Sequence, residues 1–159
     1  MTGPMLFYRH GGIVFTSYFG NLRNIPLDLE PVSIARGTPA WSAKRVKRKY
    51  LWLAPADDAW FAETNAIFVR RFRIGLKELD PQKVFNDLGE NAVLMCWERP
   101  NFRCHRRLVA EWLEEALGIE IPEYGFDKIK RFKNMPMQPP KVRSAKRKEK
   151  KTCPQILLF

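Results

Sequence analysis

Apolar positions along this chain fall in short blocks, and the spacing inside each block predicts an element. Gly12 to Phe19 (GIVFTSYF) is dense in β-branched and aromatic residues and predicts a first strand. Val32 to Ala35 predicts a second, stopped by Arg36-Gly37-Thr38-Pro39. Trp60, Phe61, Thr64, Ile67, Phe68 and Phe72 recur at helical spacing behind a capping Asp57 or Asp58, so the stripe predicts a helix facing the core. Asp80-Pro81 predicts the start of another helix. Asp accepts from the free N–H groups of a first turn, and Pro lacks the N–H that the first position leaves unpaired. Val84 and Leu88 give that helix its inner side and Gly89 ends it. Ala92 to Trp97 is apolar throughout, as in a parallel-sheet strand covered on both faces.

The last helix is predicted from Arg103 to Leu117. Leu108, Val109, Trp112, Leu113, Ala116 and Leu117 face inward, Glu111, Glu114 and Glu115 face outward, and Gly118 is the stop. Ile119 to Ile121 predicts one more strand. Strands alternating with helices predict an α/β, three-layer, Rossmann-like domain with a mostly parallel sheet over residues 1–134. From Met135 the pattern gives out. Pro136, Pro139 and Pro140 precede Lys141 to Lys151, where seven Lys/Arg stand against one Glu. Such composition predicts a disordered basic tail, a flexible linker over 135–152 that ends in an apolar peptide over 153–159.

Charge adds a partner to this picture. The chain carries a net +11, which favours a polyanion, with DNA the expected partner. Lys146, Arg147 and Lys148 concentrate part of that charge in the tail. Lys44, Arg45, Lys47, Arg48 and Lys49 concentrate another part between Trp41, Tyr50 and Trp52. Cations among aromatics suit a single strand, whose phosphates pair with charge and whose bases stack on rings. The same pattern also fits a charged loop whose aromatics anchor it to the core. No apolar run approaches the roughly 20 residues of a membrane helix, and no signal peptide is visible. Three cysteines do not make a disulfide framework, so a cytoplasmic, reduced protein with no membrane partner is expected.

Chemistry gathers between Cys96 and Arg107. Cys96 and Glu98 lie at the end of the buried strand, and Cys104, His105, Arg106 and Arg107 open the next helix. A helix start favours an anion, and arginines there make sense beside a phosphate or carboxylate. A cysteine in that setting gains thiolate character. Cys104 is therefore a candidate nucleophile, with His105 or Glu98 as acid or base. Cys96 also fits a small core residue, and His105 a turn cap. Zinc on Cys96, Cys104 and His105 lacks both a standard spacing and a clear fourth ligand, so no metal or cofactor is expected. Ser17, Asn21, Arg23, Arg36 and Thr38 lie at or near the ends of the first two strands. The ends of parallel strands line the crevice of an α/β sheet, which makes these residues candidate substrate or anion contacts.

The run LMCWERPNFRCHRRLVAEWL resembles the signature of domain of unknown function family 488, with Cys-x-Glu closing a strand and Cys-His-Arg opening a helix. Cys96, Glu98, Cys104, His105 and Arg106 match it position by position, and TSYFGNLRNIP and VSIARGTPAW resemble one branch of that family. The resemblance implies a compact α/β domain with these motifs clustered, and no assigned reaction. At the other end, QILLF resembles the bacterial sliding-clamp binding peptide. That resemblance implies Gln155 at the rim of the clamp's pocket and Ile156, Leu158 and Phe159 in or beside it. The expected function is a DNA repair, replication or modification protein recruited by a sliding clamp, acting as an enzyme on bases, nucleotides or phosphodiesters. A non-catalytic adaptor or phage-type modulator of replication, and an enzyme on a small phosphorylated metabolite, are the alternatives.

Overall fold

A computed structural model describes residues 13–137. Four short strands form one all-parallel sheet in the order β1-β4-β2-β3. They are β1 (Phe15–Tyr18), β2 (Glu30–Ser33), β3 (Arg48–Lys49) and β4 (Ala92–Cys96). The last strand among the described residues, β4, is thus internal to the sheet, and Leu94 stands beside Thr16 of β1 and Val32 of β2.

Every residue of β4 is buried, as its unbroken apolar run predicts. Ala92 and Leu94 join one core cluster with Leu76, Val84, Leu88, Leu108 and Leu113. Those partners come from α2 (Asn65–Lys77), α3 (Pro81–Leu88) and α4 (His105–Leu117). Val93, Met95 and Cys96 face the other way, toward Phe19, Leu22, Ile25 and Val46. The layer on that side is 3-10 and irregular chain rather than α-helix, since Phe19–Asn24 is a 3-10 segment. The domain is α/β with a Rossmann-like parallel sheet.

Local signals placed most helix ends. The Asp80 carboxylate accepts from the backbone N–H groups of Gln82 and Lys83 at 2.9 and 3.2 Å. Gly89 ends α3 with φ 76°, and Gly118 ends α4 in the left-handed region with φ 64°. Other expectations need correction. The stripe from Trp60 to Phe72 is split: α1 (Asp57–Trp60) stops, and α2 restarts behind Thr64, whose hydroxyl accepts from Ile67 N–H at 3.2 Å. Phe72 is buried, but Trp60 and Phe61 are 54% and 73% exposed. Helix α4 starts at His105, not Arg103, with Cys104 extended before it.

On α4, Glu111 is buried and Ala116 exposed, the reverse of the helical wheel. The Glu111 carboxylate accepts from Phe132 N–H at 2.7 Å, a partner supplied by later chain. Ile119 to Ile121 is not a strand. Just after it, an isolated parallel bridge joins Glu123 to Thr16 of β1. Packing also continues past Asn134. Met135 is buried, and its carbonyl accepts from Arg103 Nε at 2.6 Å.

Candidate functional site

The carboxyl ends of β4 and β2 lie side by side, and the chain leaving each one turns toward α4. Ligand crevices of parallel sheets form at such ends. From β4 come Cys96, Trp97 and Glu98; from β2 come Ile34, Ala35, Arg36 and Gly37. A turn with Asn101 at φ 62° then brings the chain back, so that Cys104 and His105 meet Cys96. All of these but Ile34 and Asn101 border a pocket of about 620 Å³. Ligand pockets for small molecules span roughly 300–1,000 Å³, so a nucleotide-sized molecule fits. Trp60, Phe68, Trp97 and Phe132 supply aromatic wall, and Arg36, Glu63, Glu98 and Arg103 are the acidic and basic groups among the lining.

The thiols and imidazole form the buried floor. Cys96, Cys104 and His105 are each at most 7% exposed. Cys96 Sγ lies 3.5 Å from His105 Nδ1 and 3.8 Å from Glu98 Oε2. His105 Nε2 lies 2.7 Å from the Ile34 carbonyl, and the ring meets Phe72 edge-on at 5.5 Å between centroids. Burial would raise the Cys104 thiol. The hydrogen bond with Cys96, the nearby Arg106 charge and the hydrogen bond with His105 outweigh it and hold Cys104 well below the usual thiol range. Its Cys96 neighbour moves the other way, pushed up first by that hydrogen bond and then by burial. Glu98 is pushed up to about 7, by burial first and by the charge of Cys104 second.

Arg106 and Arg107 have partners within the fold. Arg106 is fully buried. Its Nη2 and Nε donate to Glu123 at 2.7–3.3 Å, and its Nη1 donates to the Glu98 carbonyl at 2.7 Å. Arg107 Nη1 donates to Thr16 Oγ1 and to the Ile121 carbonyl, both at 2.9 Å. The Thr16 hydroxyl donates in turn to Glu123. A carboxylate of this chain thus stands where an external anion was expected, and neither arginine lines the pocket. Arg106 touches the site only by holding the Glu98 backbone and by its charge near Cys104.

The other expected contacts divide. Arg36 lines the pocket mouth, with Nη2 2.7 Å from Asp57 and its guanidinium over the Trp60 and Phe61 rings at 5.4 and 6.0 Å. Ser17, Asn21, Arg23 and Thr38 do not line it. Ser17 is buried and accepts from Asn21 at 3.2 Å, Thr38 is 2.7 Å from Ser33, and Arg23 is exposed. In the basic segment, Lys44, Lys47 and Lys49 are exposed, whereas Arg45 donates to the Ile25 and Pro26 carbonyls and Arg48 pairs with Glu30. Trp41 and Trp52 are 64% and 75% exposed, so they do not anchor that segment in the core. Lys146, Arg147, Lys148, Gln155, Ile156, Leu158 and Phe159 lie outside the described residues. The pocket residues Trp60, Phe68, Arg103 and Phe132 were not among the sequence candidates. Arg103 beside the Cys-His pair was the available signal, and nothing local pointed to Phe132.

A family model described as the active DUF488-N3 subclade matches residues 35–117. The chain belongs to the DUF488 family. The matched span holds Arg36, Cys96, Glu98, Cys104 and His105, five residues bordering the pocket, together with α1 to α4. It leaves out β1 and Glu123, the partner of Arg106. No curated protein and no solved structure matches the chain. Among the described residues, no helix is long and apolar enough to cross a membrane.

Proposed function

We propose that this DUF488 protein is an enzyme of DNA repair, replication or modification whose pocket receives one base or nucleotide of a DNA strand. The observation that carries the reading is the company Glu98 keeps. A half-buried carboxyl shares one aromatic-walled pocket with a thiolate-prone cysteine and a histidine. Aromatic walls take a planar base by stacking, and Arg36 is exposed at the mouth, where a phosphate would replace its surface partner Asp57. Glu98 exchanges protons with the bound base or with water beside the cysteine–histidine floor. The match to a subclade described as active supports a working rather than a vestigial centre.

Recruitment belongs to the same reading. The basic residues Lys44, Lys47 and Lys49 and the tail residues Lys146, Arg147 and Lys148 hold phosphates. Gln155, Ile156, Leu158 and Phe159 dock on a bacterial sliding clamp, which raises the local concentration of the domain on DNA. DNA affinity is then expected to fall with salt by about 0.9 log units per log unit for each phosphate neutralised. Clamp pull-down is expected to fail for Phe159→Ala and Gln155→Ala. Incubation of the full chain with DNA carrying normal and modified bases, followed by mass spectrometry of nucleosides and fragments, tests the enzyme itself. A second reading, a non-catalytic DNA- or clamp-binding adaptor, draws on the exposure of Trp41 and Trp52 beside the lysines. Salt-dependent binding with no product across that panel would favour it.

A further inference from the structure

The pocket floor has the composition and spacing of a metal ligand set. Cys96 Sγ, Cys104 Sγ and a ring nitrogen of His105 lie within 4.8 Å of one another. Zinc bonds of about 2.3 Å to sulfur and about 2.0–2.1 Å to nitrogen, at tetrahedral angles, place sulfur and nitrogen donors roughly 3.5 Å apart. Cys96 Sγ and His105 Nδ1 already stand 3.5 Å apart.

The far side of the imidazole settles which nitrogen is available. A carbonyl only accepts, so the 2.7 Å contact to Ile34 puts the proton of a neutral His105 on Nε2. Its Nδ1 lone pair then faces the thiols. A ligating histidine oriented by a backbone carbonyl on its other nitrogen is the common outer-shell arrangement of metal sites. Burial adds a further point. Cys96, Cys104 and His105 are 3%, 4% and 7% exposed, so an ion among them is shielded except toward the pocket. Cys104 stands at the N-cap of α4, yet its side chain makes no capping hydrogen bond, which leaves the sulfur for this corner. Two sulfurs and one nitrogen select zinc over the hard cations magnesium and calcium.

We propose that Cys96, Cys104 and His105 bind a zinc-type divalent ion whose fourth position opens into the pocket beside Glu98. The irregular sequence spacing is no obstacle, because the ligands come from the end of a strand and the start of the next helix. Three protein ligands with one open position is the arrangement of reactive rather than structural zinc. Two thiolates, one imidazole and a neighbouring glutamate that is not a ligand also serve zinc enzymes acting on nucleobases. Bound there, the ion supplies a Lewis acid at the pocket floor. Its binding does not depend on which substrate enters.

The test uses the full chain, purified without chelators or affinity metals. Plasma mass spectrometry is expected to find about one zinc per chain. Cobalt(II) exchanged into the site is expected to give a thiolate-to-cobalt charge-transfer band. Cys104→Ser and His105→Ala are expected to lose the metal and Glu98→Gln to keep it. Should the ligand variants fail to fold, the wild type still decides. After stripping and addition of zinc(II), Cys96 and Cys104 are expected to resist thiol reagents that label them in the stripped protein. Stripped wild type that retains no zinc through gel filtration, with both thiols as reactive as before, overturns the proposal. So does full zinc content in folded Cys104→Ser and His105→Ala, which places the ion elsewhere. Zinc held at this site by a protein inactive on DNA supports the ion and counts only against the proposed function.

Discussion

Two halves of one helix start behave differently. Cys104 and His105 turn toward the pocket, while the next two residues, Arg106 and Arg107, turn into the protein. The inward half is mostly satisfied internally: Glu123, Thr16 and the carbonyls of Glu98 and Ile121 receive its N–H groups, though Arg107 Nε is buried without a hydrogen-bond partner. The pocket half has an acid, a thiolate-prone cysteine and an imidazole around open volume. Charge at a helix start is therefore no sufficient sign of a ligand. What separates structure from chemistry here is whether the chain itself supplies the partner.

The largest expected effect lies in the inward half. Glu123→Gln leaves Arg106 charged at 0% side-chain exposure. Breaking a buried pair from one side costs about 3–5 kcal/mol, and urea unfolding is expected to read a loss of that size. A loss under about 1 kcal/mol would mean that water reaches the guanidinium and the two halves are less distinct. Next comes Thr16→Val, which removes the hydroxyl shared by Glu123 and Arg107. About 1–3 kcal/mol is expected from the buried groups left short of a partner.

The pocket half is expected to respond in the opposite sense. Glu98→Gln keeps the volume, so stability should stay within about 1 kcal/mol of wild type, while turnover falls by about 100-fold or more. A stability loss as large as that of Glu123→Gln would mark Glu98 as structural. The smallest stability effect belongs to Trp60→Ala, whose ring is 54% exposed. Unfolding is expected to shift by no more than about 0.5 kcal/mol. Nucleotide affinity, followed by fluorescence titration, should weaken by about 1–3 kcal/mol if a base stacks there. Unchanged affinity would move the base to another wall.

The same contrast explains what the sequence disclosed. Asp80, Pro81, Gly89 and Gly118 act within a turn of their own position, so the helix ends they mark were legible. Ala92 to Cys96 was legible as a covered strand because both of its faces are apolar. The gathering of Cys96, Glu98, Cys104 and His105 was legible because a short turn joins their elements. Partners far along the chain were not. Arg106 reads as an anion contact until Glu123 is seen beside it, 17 residues away. Glu111 reads as solvent-facing until Phe132 N–H reaches it. Ser17 near the end of β1 and Thr38 after β2 are placed as pocket residues are, yet Asn21 and Ser33 occupy them locally. Periodicity continued from Trp60 to Phe72 although the helix broke between them, because spacing does not register the Thr64 cap.

The central claim is that the pocket at the ends of β4 and β2 is a reaction centre run by Glu98. Its most direct test is to follow wild-type protein and Glu98→Gln on the same DNA panel, with binding and product formation measured together. Equal binding, with product only from the wild type, is the result expected of a base-processing enzyme. Equal product from both, or none from a wild type that binds DNA tightly, would contradict it.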